Sequence, residues 1–322
     1  MGGVNNTRSE LQYSEMNNKK IAVIGQGFVG GSLTQVFSER GTTVYAYDKT
    51  GKLAPGGKVS PSGVKPGDID SFITDCERDP EFSGVFFVCV PTPMRRDGSA
   101  DLRIVESVLS DLARVSGRER IAVVKSTVPP GSTQAWNDRF SESGLHVVFS
   151  PEFLTEANAL EDMRNQDRIV LGGPRPYINT VKAVFEAAFP QVPIIKTSST
   201  TAEMVKYVTN CFLATKVSFA NEMYQICQAL DAQGKDIDYD KVIEYATKDK
   251  RLGTSHWKVP GPDSFRGFGS HCFPKDLCAL SVMGKSLNVC TTVLDGVWTK
   301  NLEVRKNRDW EQMTGRAVSE DE

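Results

Sequence analysis

The feature that most constrains this chain is an alternation of two patterns over its first two hundred or so residues. Short runs rich in β-branched residues recur at 21–25, 43–47, 85–90, 121–125, 146–149, 168–171 and 192–195. Most are apolar without a polar alternate, as expected of strands covered on both faces. Stretches of helical periodicity fit between them at 30–40, 102–116, 132–141 and 178–188. Such alternation builds a doubly wound parallel sheet with helices on both sides.

The pattern changes after Thr197. Residues 201–230 contain no Gly or Pro, and Met204, Val205, Val208, Phe212, Leu213, Val217, Met223 and Ile226 recur at helical spacing. A helix of that length runs on the order of 45 Å, too long to cover a sheet, and it predicts the spine of an all-α region. A shorter helix follows at 239–247, then a Gly/Pro-rich loop at 253–269 and a last helical stretch at 275–304. The expected division is 20–197 for the α/β domain and 198–304 for the helical one. Residues 1–19 form a polar leader expected to be disordered, and 305–322 a charged tail expected to be extended.

The glycines define the first candidate site. Gly25-Gln26-Gly27-Phe28-Val29-Gly30 follows a strand and opens a helix. Gly25 permits the tight turn, Gly27 lets backbone approach a pyrophosphate, and Gly30 lets helix and strand pack closely. Phe28 and Val29 open the helix whose N-terminus faces the phosphates. Asp48 ends the second strand, placed for a ribose 2′-OH and against a 2′-phosphate, so the pattern predicts a Rossmann-type domain and NAD rather than NADP. A glycine turn that merely packs, or an FAD site, is the alternative.

Further motifs end other strands, at the edge where such sheets bind ligands. Val90-Pro91-Thr92-Pro93 and Lys125-Ser126-Thr127-Val128-Pro129-Pro130-Gly131 supply stiff loops for the nicotinamide side. Ser150-Pro151-Glu152-Phe153-Leu154-Thr155-Glu156-Ala157 adds two carboxylates, of which Glu152 is placed to orient a water or take a proton. Lys206 and Asn210 lie one helical turn apart and share a face, a pairing suited to an oxyanion. Gly267-Phe268-Gly269-Ser270-His271-Cys272-Phe273-Pro274-Lys275-Asp276 puts a thiol on a glycine-rich loop. Cations or a helix N-terminus beside a thiol favour its nucleophilic form. Cys89, Cys211, Cys227 and Cys290 sit in apolar runs and Cys76 beside acidic loop residues, so all are expected to be inert.

Seven cysteines without regular spacing argue for free thiols in a reducing cytosol. A net charge of −2 provides no global field for nucleic acid, and no apolar run approaches the ~20 residues of a membrane span. Without a CxxC pair and with only three histidines, no metal site is expected.

Taken in order, these motifs are similar to those of the UDP-glucose 6-dehydrogenases within the wider nucleotide-sugar dehydrogenase group, and they extend from about Lys20 to Asn301. The resemblance implies oxidation of the C6 alcohol of UDP-glucose to UDP-glucuronate by successive hydride transfers to NAD, in a cytoplasmic homodimer built on the long helix. It makes Cys272 the nucleophile, Lys206 the oxyanion partner with Asn210 assisting, and Thr127 and Asp276 the holders of a water. Glu152 then serves hydrolysis and Glu156 the nicotinamide end of NAD, with Pro91 and Thr92 beside it. Phe153, Leu154, Phe268 and Gly269 are implied to lie against the sugar diphosphate, and Arg251 to reach the substrate.

The sequence departs from the family pattern twice. Members usually carry Gly-Gly where Gly269-Ser270-His271 stands, and they continue into a second nucleotide-binding domain, so a short form is expected. GDP-mannose 6-dehydrogenase is the main alternative, followed by a two-electron hydroxyacid dehydrogenase, which needs no cysteine, and a non-catalytic NAD-binding subunit.

Overall fold

A computed structural model describes residues 20–63, 68–115 and 118–320. The expected leader, the end of the helix expected at 102–116, and the last two positions of the tail lie outside the described residues. The chain forms two compact units: residues 20–91 with Leu102–Lys206, and Thr92–Asp101 with residues 207–320.

The first unit is built on one eight-stranded sheet. In chain order the strands are β1 (Lys20–Ile24), β2 (Val44–Tyr47), β3 (Gly57–Lys58), β4 (Phe82–Val88), β5 (Arg120–Val124), β6 (Leu145–Phe149), β7 (Ile169–Gly172) and β8 (Ile194–Thr197). They lie side by side as β3-β2-β1-β4-β5-β6-β7-β8. Helices α1 (Phe28–Glu39), α2 (Ile69–Arg78), α3 (Arg103–Arg114), α4 (Ser132–Arg139), α5 (Ala159–Arg164) and α6 (Tyr177–Ala188) join them.

The uninterrupted apolar strands follow from period-two geometry. Ala22, Ile24, Phe86, Val88, Ala122 and Val124 bury one face against Phe72, Val105, Leu109 and Trp136. Their neighbours Ile21, Val23, Val85, Phe87, Ile121 and Val123 bury the other against Leu33, Phe37, Val181 and Phe185. Each buried Val, Leu, Ile or Phe among them contributes about 1.5–3 kcal/mol, so neither face tolerates a polar alternate.

The expected all-parallel sheet needs one correction. β6 and β7 pair antiparallel through Phe149 and Gly172, while the other neighbours run parallel. Helix α2 was also unforeseen, because its buried Phe72, Ile73 and Cys76 are interleaved with charges.

The long helix α7 (Ser199–Ala232) gives its first turns to the first unit and the rest to the second. The second unit adds α8 (Tyr239–Ala246), α9 (Cys272–Ser286) and α10 (Thr292–Val304). Its core joins Tyr207, Cys211 and Ala214 to Phe268, Leu277 and Val297. The single stretch expected over 275–304 is broken. Asn288 takes φ 59°, and the Val289 N–H returns to the Gly284 carbonyl at 2.9 Å, ending α9 as a left-handed C-terminal residue does.

The tail is packed rather than extended. Trp310 is 2% exposed and lies against Trp298, and Arg305 and Ala317 are buried. The Met94 N–H donates to the Ala317 carbonyl at 2.8 Å, and the Ser319 N–H returns to the Met94 carbonyl at 2.9 Å. Among the described residues no helix is long and apolar enough to cross a membrane.

Candidate active site

In the first unit the glycine turn is shaped by backbone. Gly25 has φ +91°, and a Cβ there would stand 2.5 Å from the Cys89 carbonyl oxygen. A Cβ on Gly30 would meet the Gly25 carbonyl oxygen at 1.9 Å, so the first turn of α1 lies directly on the end of β1. Gly27 differs: a Cβ there meets nothing within 4 Å. It caps α1 without a side chain, and the first turn, which includes Phe28 and Val29, carries no acidic residue. The bare helix end thus suits an anion. Asp48 accepts from the Gln26 N–H at 2.9 Å and from the Thr50 hydroxyl at 2.6 Å. Burial opposes its ionisation, but those hydrogen bonds hold it below the usual carboxylate range. An open glycine cradle beside an ionised Asp fits a dinucleotide whose ribose carries hydroxyls.

At the ends of β5 and β6 lies a buried charge cluster. Lys206, 3% exposed on α7, donates to both the carboxylate and the carbonyl of Glu152 at 2.8 Å. The other Glu152 oxygen accepts from the Leu154 N–H at 2.7 Å. Burial would raise Glu152, but the charge and hydrogen bond of Lys206 overcome it and hold the carboxyl below its ordinary range. Lys125 contacts the Ser150 hydroxyl and the Pro151 carbonyl, both at 3.2 Å, and burial pushes its ammonium down to about 8. Thr127 is buried, Pro91 ends the β4 loop at the surface, and Phe153 takes the Arg168 guanidinium over its ring at 4.1 Å. Glu156 is exposed and opens a short 3-10 turn.

In the second unit Cys272 begins α9 and is half-buried. One turn on, Asp276 is 1% exposed; it accepts from the Asn210 amide at 2.6 Å and from Lys275 at 2.5 Å. Asn210 and Lys206 therefore do not share one target: each is committed to a different carboxylate. Phe268 is buried, with its N–H on the Asn301 side-chain oxygen at 2.8 Å. Ser270 adopts φ 57°, a left-handed conformation that costs a non-glycine residue about 1–2 kcal/mol. Thr92 is buried in this unit. Arg251 is exposed and paired with Asp249.

The remaining cysteines behave unequally. All seven are free thiols. Burial pushes Cys89 up to about 12 and raises Cys76, Cys211 and Cys278. Cys76 belongs to a buried helix face rather than a loop, and Cys290, expected to be packed, is exposed. Among the described residues no cluster of three or more His, Cys, Asp or Glu is placed to hold a metal ion.

Sequence reasoning passed over Lys125 as a site residue although it lies in a motif. It also missed Glu203, whose carboxylate accepts from the Gly131 and Thr133 N–H groups at 2.6 and 2.8 Å and so caps α4 behind Thr127. Position in the chain gives Glu203 no signal beyond its place one turn before Lys206.

The glycine cradle, its acidic partner and the strand-end cluster make the first unit a dinucleotide-binding domain of Rossmann type. Residues 67–189 match the NAD-binding domain of the UDP-glucose/GDP-mannose dehydrogenase family, and residues 200–303 match its central domain. A putative UDP-glucose 6-dehydrogenase of Bacillus subtilis (strain 168) is 34% identical over 86% of this chain and 66% of its own length. The structure of a UDP-glucose dehydrogenase from the archaeon Pyrobaculum islandicum is 30% identical with a TM-score of 0.74, covering 94% of this chain and 70% of that one. A GDP-mannose dehydrogenase from Pseudomonas aeruginosa is 26% identical with a TM-score of 0.59, covering 88% and 69%. The chain belongs to the UDP-glucose/GDP-mannose dehydrogenase family. It spans 60–66% of the length of three Bacillus subtilis relatives.

Proposed function

We propose that the chain oxidises the C6 alcohol of UDP-glucose to the carboxylate of UDP-glucuronate, with Cys272 as a covalent nucleophile. The observation that carries this reading is the thiol at the start of α9, one turn ahead of an Asp276 carboxylate fixed by Asn210 and Lys275.

NAD, when bound, supplies an acceptor for the hydride removed at each of two oxidations. The residues proposed to hold it are Gly25, Gly27, Phe28, Val29, Gly30, Asp48, Pro91, Thr92, Thr127 and Glu156. The first oxidation leaves an aldehyde, to which the Cys272 sulfur adds, forming a C–S bond and a thiohemiacetal. Loss of the second hydride gives a thioester. Water then breaks the C–S bond, releasing the carboxylate and the thiol, a step to which Thr127 and Asp276 are each assigned.

Lys206 supports this chemistry through its setting: a buried ammonium acts on a developing oxyanion far more strongly than a solvated one. Its bonds to Glu152 fix its direction, and Glu152 in turn is assigned to the hydrolysis. Phe153, Leu154, Phe268 and Gly269 are assigned to the sugar diphosphate, and Arg251 to the substrate's charge.

A homodimer through α7 belongs to the same proposal. Val208, Phe212, Phe219 and Ile226 are spaced along that helix and are 57%, 63%, 51% and 49% exposed. Such an apolar row fits a second copy of the chain better than water.

The test is NADH released per sugar nucleotide consumed, with UDP-glucose and GDP-mannose supplied separately. Two NADH per UDP-glucose, lost in Cys272→Ser, is the expected result. An undiminished rate in the serine variant would overturn the covalent route, and turnover of GDP-mannose alone would reassign the substrate.

A further inference from the structure

We propose that Asp309 and Arg305 are positioning residues that latch the Cys272 loop by holding Ser270 in its left-handed conformation. The inference rests on the role proposed for Cys272, and it assigns a task to the segment that reads in sequence as a charged tail.

Ser270 is a serine in a backbone region that favours glycine, two residues before the thiol. A residue held there persists only where its surroundings over-determine it. The surroundings are specific. The Ser270 N–H donates to one Asp309 carboxylate oxygen at 3.0 Å, and the other oxygen accepts from Arg305 at 3.0 Å. Arg305, 1% exposed, also donates to Asp263 at 2.6 Å and to the Asn307 carbonyl at 2.7 Å. With its guanidinium fixed on three sides, Arg305 sets the direction of Asp309, and Asp309 sets Ser270.

The two loop glycines complete the latch. A Cβ on Gly269 would stand 2.1 Å from an Arg305 nitrogen and 2.3 Å from an Asp309 oxygen. A Cβ on Gly267 would stand 2.4 Å from the Asn301 side-chain oxygen. Asn301 is fully buried and closes a two-way bond with Phe268, accepting from its N–H and donating to its carbonyl. The loop is therefore pressed onto the end of α10 and the turn after it. A pair serving stability alone would need only the Arg305–Asp309 bond. The second Asp309 oxygen, spent on the Ser270 N–H, directs that stability at a residue two positions before the start of α9.

The experiment compares wild type, Asp309→Asn, Ser270→Gly and the double variant in the full chain. Three quantities are measured: turnover with UDP-glucose, KM for NAD, and the rate at which iodoacetamide alkylates Cys272, followed by peptide mass spectrometry. Asp309→Asn is expected to lower kcat by about tenfold or more with KM for NAD unchanged, as a misplaced reacting group does. Release of the loop is expected to raise Cys272 alkylation about threefold or more. Ser270→Gly removes the conformational demand, so the double variant is expected to regain part of the kcat and to bring alkylation part of the way back to the wild-type rate. Unchanged kcat and alkylation in Asp309→Asn, or changes that Ser270→Gly leaves unrepaired, overturn the latch. A wild type without turnover would instead sink the proposed function, and alkylation alone would still read the latch.

Discussion

Two glycine-rich turns in this molecule each open a helix, and they are built in opposite ways. The turn Gly25–Gly30 is enclosed by backbone: the atoms that exclude a Cβ at Gly25 and Gly30 are the carbonyls of Cys89 and of Gly25. The turn from Gly267 to Ser270 is enclosed by side chains, those of Asn301, Arg305 and Asp309, more than thirty positions downstream. The first leaves Gly27 facing open space, and the second leaves Gly269 crowded. A backbone cradle with an open centre suits a bound ligand. A loop pinned by distant side chains suits a reactive group held in place.

One methyl group added to each turn separates the two kinds of enclosure. Gly25→Ala puts a side chain at φ +91° against backbone that cannot rotate away. Left-handed strain and overpacking together predict a loss of about 3 kcal/mol or more, with poor recovery of folded protein. Gly269→Ala meets the ends of the Arg305 and Asp309 side chains, which yield only by loosening their bonds to Asp263 and Ser270 but, unlike backbone, can yield. Its expected cost is about 1–3 kcal/mol, with NAD affinity kept and turnover reduced. Urea unfolding measures both, and equal losses would show that the two enclosures are equally rigid.

The same contrast explains what the sequence made legible. The strands could be read because burial of both sheet faces excludes polar residues from runs such as Ile121 to Val124. The cradle could be read because its geometry is local, so a six-residue string carries it. Direction was not legible: nothing within β7 says that it will pair antiparallel with β6. Spacing placed Lys206 and Asn210 on one face but could not name their partners, which come from Glu152 and Asp276. The contacts of Arg305 and Asp309 were the least legible, because a charged segment near the end of a sequence carries no sign of what it touches.

A smaller effect tests whether charge in the first unit is balanced locally. Lys206 bonds the single Glu152 carboxylate while Lys125 feels its charge only through space, and burial pushes Lys125 from 10.5 down to about 8. Between those values the unfolded chain holds the Lys125 proton and the folded chain has released it. The unfolded state then binds more protons, so stability rises with pH. Wild type is expected to gain about 2 kcal/mol over Lys125→Met between roughly pH 7 and pH 9.5. The variant also loses donors to Ser150 and Pro151, but that offset does not change with pH. Parallel stability curves would mean that Lys125 stays charged throughout and that its surplus is neutralised by a group outside the cluster.

The smallest structural change is the most informative about the cradle. Gly27 has φ −72°, which alanine adopts readily, and a Cβ there would have no neighbour within 4 Å. Gly27→Ala is therefore expected to fold normally, within about 1 kcal/mol of wild type, the remaining cost being that of alanine as a helix cap. On the proposed NAD site the added methyl stands where the pyrophosphate approaches the backbone, so NAD affinity is expected to fall by roughly 30-fold, or about 2 kcal/mol. Calorimetric titration of NAD separates the two effects. An unchanged affinity in a well-folded variant would mean that the dinucleotide does not approach Gly27, and the open centre that distinguishes this turn from the Cys272 loop would lose its meaning.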